Sequence, residues 1–480
     1  MTTPITLTDD QTAALDQLLA AVAQRKNTAL HGPAGTGKTT LTGVLIQRLL
    51  EQGKTLIVAA PTHKAVGVLR SKVPTGVNCC TVASLLGLKP VAKGRFISFV
   101  ADYRQAEKRG QLRGVDVLVA DESSMLSEQL GAELVKLAAT SGTTLICVGD
   151  ASQLPPVDPP PEPGEDETEH RGVMAKAFTD PPGGVAALTE VVRHQGPVLA
   201  LATQLRQCNS KAEVDACWPT RDQADADSRV IVHAWPNAWL ASAKAVLLDP
   251  RWEQQPDAGR ILCWSNRAVD RITQELRAAR YGDIATEGWQ VGEIVSNGDA
   301  IQQPGRSMAA PAAPSSCEWR VVGAESHRLK LSLGTGKWHT PKRQEVREFE
   351  IGCDVQVQKL TLDPLVSGGR QQQIEAFAPV PGDSTWADCI SELRHSISKI
   401  EAGKARTKAW AQWHEMRSHC CDLRSAAVLT VHRSQGSTFK CVWLNGDMGY
   451  CNTADVTPLH YTAATRASQQ LHVLRREVGE

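Results

Sequence analysis

Short apolar runs ending in polar or glycine-rich loops, each followed by a stretch with helical spacing, recur along this chain. "NTALHGPAGTGKTTLTGVLIQRLL" reads as strand, glycine loop and helix, and "KTLIVAAPTHKAVGVLR", "VDVLVADESSM" and "TTLICVGD" repeat the strand-then-loop pattern. Ahead of them Leu15, Leu18, Leu19 and Val22 follow the i, i+3, i+4, i+7 spacing of a helix facing a core. A second series, "GRILCWSNRAVDRITQELRAAR", "AAVLTVHRSQGSTFKCVWLN" and "PLHYTAATRASQQLHVL", has the same rhythm. Strands alternating with helices predict parallel α/β sheets, and two series predict two such units.

Two segments break the rhythm. "GLKPVAKGRFISFVADYRQAEKRGQLRG" interrupts the first series, with Gly94 as a turn candidate and Phe96 and Phe99 in a strand-like stretch. Between the halves of the second series, the Pro/Ala/Ser-rich "QQPGRSMAAPAAPSS" leads into alternating runs such as "EWRVVG" and "HRLKLSL", which predict a small β-barrel. "SELRHSISKIEAGKARTKAWAQWHEMRSHCCDLR" then reads as helical, with Trp410 and Trp413 expected in its core and a DNA- or hairpin-docking role as the alternative.

The loop of the first unit carries chemistry. Gly32, Pro33, Ala34, Gly35, Thr36, Gly37, Lys38, Thr39 and Thr40 fit the pattern G-x-x-x-x-G-K-[ST] between a strand and a helix. Glycines let backbone N–H groups close around a phosphate, and the helix that begins near Lys38 points its positive dipole end at the anion. Lys38 would reach the β- and γ-phosphates of ATP, and Thr39 would hold Mg2+. Asp121 and Glu122 end an apolar strand, where a parallel sheet places catalytic groups; Asp121 would bind Mg2+ and Glu122 would activate water. Gln11 opens the preceding helix with an amide able to read an adenine edge. "GTGKW" at Gly334 to Trp338 lacks the first glycine and is expected to be a turn.

Other strand-end loops suit a phosphodiester backbone. They are Pro61-Thr62-His63-Lys64, the helix start at Thr81, Ser265-Asn266-Arg267, and Thr430 with His432, Arg433, Ser434, Gln435 and Gly436. "VGDASQLPPV" places Gln153 near Asp121 and the γ-phosphate, with Leu154, Pro155 and Pro156 expected to face nucleic acid. Arg193 and Arg466 follow apolar stretches of the second series.

Composition adds limits. Lys+Arg and Asp+Glu are both 52, so any polyanion site must be a local groove. The 13 cysteines form no C-x-x-C pair, which predicts reduced thiols in a cytoplasmic protein rather than a disulfide framework or structural zinc. No apolar run is long enough for a membrane span, and the start "MTTPITLTDDQ" lacks the pattern of a secretory signal.

"GPAGTGKTT", "APTHKA", "TVASLLG", "DESSM", "GDASQLPPV", "LTEVVRHQ", "WSNRAVDRI", "TVHRSQGSTF" and "YTAATRA" occur in the order in which they occur in superfamily 1 helicases, and the chain most resembles the RecD-like and Pif1-like branch, superfamily 1B. The resemblance implies two RecA-like domains with ATP between them, a β-hairpin wedge (1B) and an SH3-like barrel (2B). It places domain 1A at 1–88 and 114–190, 1B at 89–113, 2A at 191–297 and 426–480, and 2B with its helical extension at 298–425. It implies roles: Gln11 at adenine, Gln153 as γ-phosphate sensor, Arg193 and Arg466 completing the site across the cleft, Gly436 between nucleotide and DNA, and Phe96 or Phe99 as the wedge. It further implies a monomeric, phage- or bacterially encoded motor that moves 5′ to 3′ on single-stranded DNA and opens forked duplexes in replication, recombination or repair, with replication or recombination proteins as partners. The residues alone leave DNA and RNA open. Two departures stand out: Arg433 replaces the usual Lys, and the acidic "DPPPEPGEDETEH" is expected to lie away from DNA.

Overall fold

The computed structural model of the chain describes residues 6–70, 72–93, 96–101, 112–158, 170–190, 196–302, 312–313, 315–340, 345–365, 372–400, 403–451 and 453–475. Two six-stranded sheets form its frame. In the first, the strands run in spatial order Val185–Ala187, Thr28–His31, Thr144–Gly149, Val117–Ala120, Leu56–Ala60 and Asn78–Thr81, every neighbouring pair parallel. The three central strands are buried along their whole length, which is why they read as unbroken apolar runs. Helices Asp9–Ala23 and Lys38–Glu51 cover one face with Leu15, Leu18, Leu41 and Leu45, and helix Glu128–Ser141 covers the other with Leu134 and Leu137. Parallel pairing brings the loops after His31, Ala60, Thr81, Ala120 and Gly149 to one edge.

The second sheet runs Gln223–Ala224, Arg229–His233, Ala467–Leu474, Phe439–Leu444, Gly259–Cys263 and Val428–Thr430; only the first pair is antiparallel. Its core takes in Leu154, a residue of the first unit.

A third sheet is antiparallel throughout and links Ile374–Pro379, Glu345–Pro364, Glu318–Thr340, Ile294–Asn297 and Leu423–Ser425. The runs expected as separate short strands, "EWRVVG" and "HRLKLSL", belong to one strand of 23 residues. Register shifts at Val321/Gly323 and Ser332/Gly334 let it bend without ending. "GTGKW" is therefore not a turn: Gly334 to Trp338 pair with Ile351 to Arg347 inside this ribbon. Helices Thr385–Ser398 and Lys404–Arg417 pack on it, with Trp410 and Trp413 buried beside Ile351 and Ile397.

Lys89–Lys93 and Phe96–Val100 pair as an antiparallel hairpin. The side chains of Phe96 and Phe99, the turn at Gly94, and most of the acidic stretch after Asp158 lie outside the described residues. All thirteen cysteines are free thiols, and no helix among the described residues is long and apolar enough to cross a membrane.

Candidate functional site

The phosphate loop is set by backbone geometry. Gly35 and Gly37 have φ of 85° and 80°, a region that L side chains enter only at a cost. A Cβ on Gly37 would also stand 2.5 Å from Gln11 Nε2. Thr36 is fully buried and its hydroxyl donates to the Pro33 carbonyl at 2.9 Å. The Lys38 ammonium donates to the carbonyls of Gly32 and Pro33, the latter at 3.0 Å. Gln11 is buried. Its amide accepts from Thr8 N–H at 3.2 Å in a capping box and donates to the Thr36 carbonyl at 3.1 Å. One N–H and one lone pair of that amide remain for a ligand edge. Thr39 and Thr40 are exposed on the first turn of the helix.

Asp121 and Glu122 leave the strand Val117–Ala120 at the same edge. Glu122 has φ of 51°, rare for a residue with a side chain, and its N–H donates to Asp121 Oδ1 at 2.9 Å. Burial, and next the Glu122 carboxylate, push the Asp121 carboxyl well above the ordinary carboxylate range. A hard divalent cation would offset that cost, and the oxygen donors of Asp121 and Thr39 suit Mg2+. Lys38 also acts on Asp121 electrostatically.

The second unit reaches across to this edge. Arg466 is buried. Its guanidinium donates to the carbonyls of Thr462 at 3.1 Å and Ser437 at 3.0 Å, and to Thr465 Oγ1 at 3.0 Å. Burial lowers its pKa; of the charges that oppose this, Glu122 is the strongest. Gly436, with φ of 71°, faces Ala65 of the first unit.

Between these groups lies a bridge that sequence reasoning missed. Ala34 N–H donates to Tyr461 Oη at 2.9 Å, and the Tyr461 hydroxyl donates to Asp150 Oδ2 at 2.6 Å. Asp150 is 1% exposed, and its Oδ1 accepts from Ser152 N–H at 3.0 Å. Next along the loop, Leu154 N–H donates to Thr462 Oγ1 at 3.0 Å, and the Leu154 carbonyl accepts from Gln435 Nε2 at 3.0 Å. Gln153, between these anchors, is buried and its amide oxygen has no hydrogen-bond partner.

A family model described as an AAA domain matches residues 6–218, and one described as a UvrD-like helicase C-terminal domain matches 425–474. Together they cover more than half of the chain, and the nucleotide loop and Arg466 lie one in each. The chain thus carries an AAA domain and a UvrD-like helicase C-terminal domain, in the order the superfamily 1B resemblance implies. Among relatives, the ATP-dependent DNA helicase Dda of Enterobacteria phage T4 is 29% identical over 300 residues, 62% of this chain and 61% of that one. The chain thus matches under two thirds of that relative's length. The uncharacterized protein R530 of Acanthamoeba polyphaga mimivirus is 20% identical over 92% of this chain and 94% of its own. Solved structures that align include the Pif1 helicase from Candida albicans, with 16% identity, TM-score 0.46 and coverage of 99% and 96%. Another is Bacteroides Pif1 in complex with ADP-AlF3 and single-stranded DNA, with 17% identity, TM-score 0.48 and coverage of 98% and 92%.

The residues expected at a nucleic-acid strand divide into three groups. Asn266 and Arg267 are exposed at a strand end, as is His63, while Pro61, Thr62 and His432 are half-buried. A second group serves local structure. The Thr62 hydroxyl accepts from Ala65 N–H at 3.2 Å, and buried Thr81 accepts from Ser84 N–H at 3.1 Å. Thr430 accepts from Arg433 N–H at 3.3 Å, Ser434 donates to the Val431 carbonyl, and Ser265 caps its helix through Ala268 N–H.

The third group corrects the expectation. Leu154, Pro155 and Pro156 are buried. Leu154 sits in the core of the second unit, so apolar packing rather than nucleic acid accounts for it. Lys64 is not a free cation: its ammonium donates to Glu318 Oε1 at 3.2 Å and lies 5.1 Å from the Phe439 ring centroid. Glu318 also pairs with Arg260, whose side chain is fully buried. Burial pushes the Glu318 carboxyl up, but Arg260 and then Lys64 outweigh it and hold the group at about 2. The Arg433 guanidinium lies against Gly298, with Arg424, Asp422 and Asp299 acting on its charge. Gln435 is spent on Leu154. Arg193 lies outside the described residues.

Proposed function

We propose that this protein is an ATP-dependent DNA helicase that translocates 5′ to 3′ along single-stranded DNA and opens forked duplexes. One observation carries the reading: groups of the second unit, Tyr461, Thr462, Gln435 and Arg466, meet the phosphate loop and the Asp150–Leu154 loop of the first. A nucleotide bound there would feel both units at once, so its hydrolysis would alter their separation.

In this reading Lys38 and the loop N–H groups hold the phosphates, and Gln11 borders the base. Mg2+, held by Thr39 and Asp121, would neutralise phosphate charge. Glu122 orients and deprotonates the attacking water, Gln153 senses the γ-phosphate, and Arg466 with Arg193 stabilises the charge that develops. Arginine fingers contribute on the order of 10³–10⁵ in rate in NTPases of this kind. The proposed division is 1A at 1–88 and 114–190, 1B at 89–113, 2A at 191–297 and 426–480, and 2B at 298–425. A strand grip on each RecA-like unit, with Asn266 and Arg267 on one and Pro61 to His63 on the other, turns closure and reopening into stepping. Phe96 or Phe99 would separate base pairs at the hairpin. Support for DNA comes from the relative named as a DNA helicase, and support for polarity from the superfamily 1B resemblance.

The test is strand displacement on duplexes with 5′ or 3′ single-stranded tails, with Lys38→Ala as control. Opening only of the 5′-tailed duplex, lost in Lys38→Ala, is expected. Opening only from a 3′ tail overturns the polarity. ATPase stimulation by single-stranded RNA but not DNA overturns the substrate.

A further inference from the structure

A cavity of about 640 Å³ opens on the second unit, and none of its lining residues comes from the first. It sits where strands Phe439–Leu444 and Ala467–Leu474 end, the edge at which open α/β sheets take ligands. Its volume falls in the range of small-molecule sites.

The interior is polar in an unusual way. His460 is 1% exposed; the Met448 backbone acts as hydrogen-bond partner to one side of its imidazole, and the other ring nitrogen has no partner. Burial keeps this imidazole neutral by lowering its pKa to about 4. Asn445 is also buried, and its Nδ2 has no partner. An unmade hydrogen bond in a buried site costs about 1–3 kcal/mol, so two such side chains lining one cavity mark it as built for a ligand. The walls are apolar: Trp218 stands edge-on to His460 at 5.5 Å between ring centroids, with Leu444 and Met448 alongside. The mouth is different. Tyr450 is 80% exposed there, Lys211 is held by Asp215 at 2.9 Å, and Arg475 completes the rim.

We propose that this cavity binds a nucleobase, its edge read by His460 and Asn445, its face stacked on Tyr450, and its phosphate set at Arg475 on the rim. A neutral imidazole and an amide offer both donors and acceptors, as a base edge requires. A bare phosphate would leave that neutral interior unexplained. The location fits a strand: the turn Gly446–Tyr450 lines the cavity, and its Asp447 accepts from Trp264 N–H at 3.1 Å and from Ser265 N–H and Oγ at 2.9 Å. The cavity wall and the Ser265 loop thus form one body. The base can belong to a bound strand or to a free nucleotide; the strand source rests on the helicase reading above.

Gly449 offers a clean test, because a Cβ there meets nothing within 4 Å. Gly449→Leu would fill the mouth, and Tyr450→Ala would remove the stacking face. Binding of a short oligothymidylate and of an abasic strand of equal length is measured by anisotropy, and photocrosslinking of thymidine monophosphate to Tyr450 is followed by mass spectrometry. Base stacking predicts that each variant weakens oligothymidylate binding at least about fivefold, leaves the abasic strand unaffected, and keeps strand-independent ATP hydrolysis. A loss of thymidine monophosphate crosslinking alone in Gly449→Leu assigns the cavity to a free nucleotide. A chain that crosslinks thymidine monophosphate yet binds no oligonucleotide defeats the helicase reading and keeps this site. Unchanged strand binding and crosslinking in Gly449→Leu would overturn the proposal, as would equal weakening on the abasic strand.

Discussion

Replacing Tyr461 by Phe deletes one oxygen from the junction between the two units and leaves the ring in place. Two hydrogen bonds go with it: Ala34 N–H to Tyr461 Oη at 2.9 Å, and the Tyr461 hydroxyl to Asp150 Oδ2 at 2.6 Å. They differ in weight. Ala34 is half-buried, so water can take the place of its acceptor. Asp150 is 1% exposed, and its carboxylate would lose a donor with little water to replace it. A hydrogen bond to a charged group contributes about 1.5–3 kcal/mol, against about 1 kcal/mol for a neutral one. The carboxylate bond therefore dominates, and a coupling of about 1.5–3 kcal/mol between Tyr461 and Asp150 is expected.

A double-mutant cycle isolates this quantity. Tyr461→Phe, Asp150→Ala and the double variant are compared with the parent in urea, with stability taken from the transition midpoints. The double variant should be destabilised by less than the sum of the singles by the coupling energy. A coupling below about 0.5 kcal/mol, the scatter of independent sites, would refute the bridge. ATP affinity gives a second readout. Backbone N–H groups of this loop are what a phosphate binds, and the one on Ala34 is committed to Tyr461. Tyr461→Phe should bind ATP at least as tightly as the parent, and weaker binding would contradict the competition.

Three further outcomes are expected. Asp121→Asn should abolish ATP hydrolysis yet raise the apparent Tm above neutral pH. An acid whose folded pKa is raised loses stability as pH rises from its unfolded to its folded value, so the gain should vanish in acid; a Tm that falls at all pH values would contradict it. Glu318→Gln should cost about 3–5 kcal/mol near neutral pH by stranding buried Arg260. Because the Glu318 carboxyl is held down at about 2, its contribution is present above pH 4.5 and lost as pH falls toward 2, so urea midpoints of parent and variant should converge over that window. Gly37→Ala, at φ of 80° and against Gln11, should lose at least about 1–2 kcal/mol of stability together with ATP binding; an unchanged Kd for ATP would sink the steric account.

The frame of the fold was open to sequence reading because parallel sheets buried on both faces write themselves as apolar runs with loops at one end. The phosphate loop and the Asp121–Glu122 pair were legible for the same reason, since each follows a run directly. What the sequence hid depends on distant partners. Tyr461 and Thr462 sit on a largely buried helix, and nothing local shows that their hydroxyls reach Asp150 and Leu154, more than 300 positions away. Lys64 looked like a phosphate ligand because its partner Glu318 lies 254 positions on, at the start of a strand that reads as barrel. "GTGKW" failed differently. Glycines suggest a turn, but in a ribbon they also mark the bulge next to Ser332, and only the pairing partner distinguishes the two.

"GDASQLPPV" belongs to the first unit by sequence and to the second by packing. Its Asp150 is tied to Tyr461, its Leu154 backbone is clasped by Thr462 and Gln435, and its Leu154 side chain lies in the second core. The same Thr462 gives its carbonyl to Arg466, which also holds the Ser437 carbonyl in the loop just past Gln435. Arg466, Thr462, Gln435 and the Leu154 backbone therefore form one hydrogen-bonded frame. Packed cores transmit displacement rather than absorb it. When the second unit shifts relative to the phosphate loop, Gln153 has no independent path, because Asp150 before it and Leu154 after it are both held by the unit that moves. Past the clasp, the stiff Pro155-Pro156 corner leads into Val157–Asp158, which pairs with His170–Arg171, and the Pro156 carbonyl accepts from Gly172 N–H at 2.8 Å. If Gln153 meets the γ-phosphate as proposed, this frame couples that contact to the movement of the second unit.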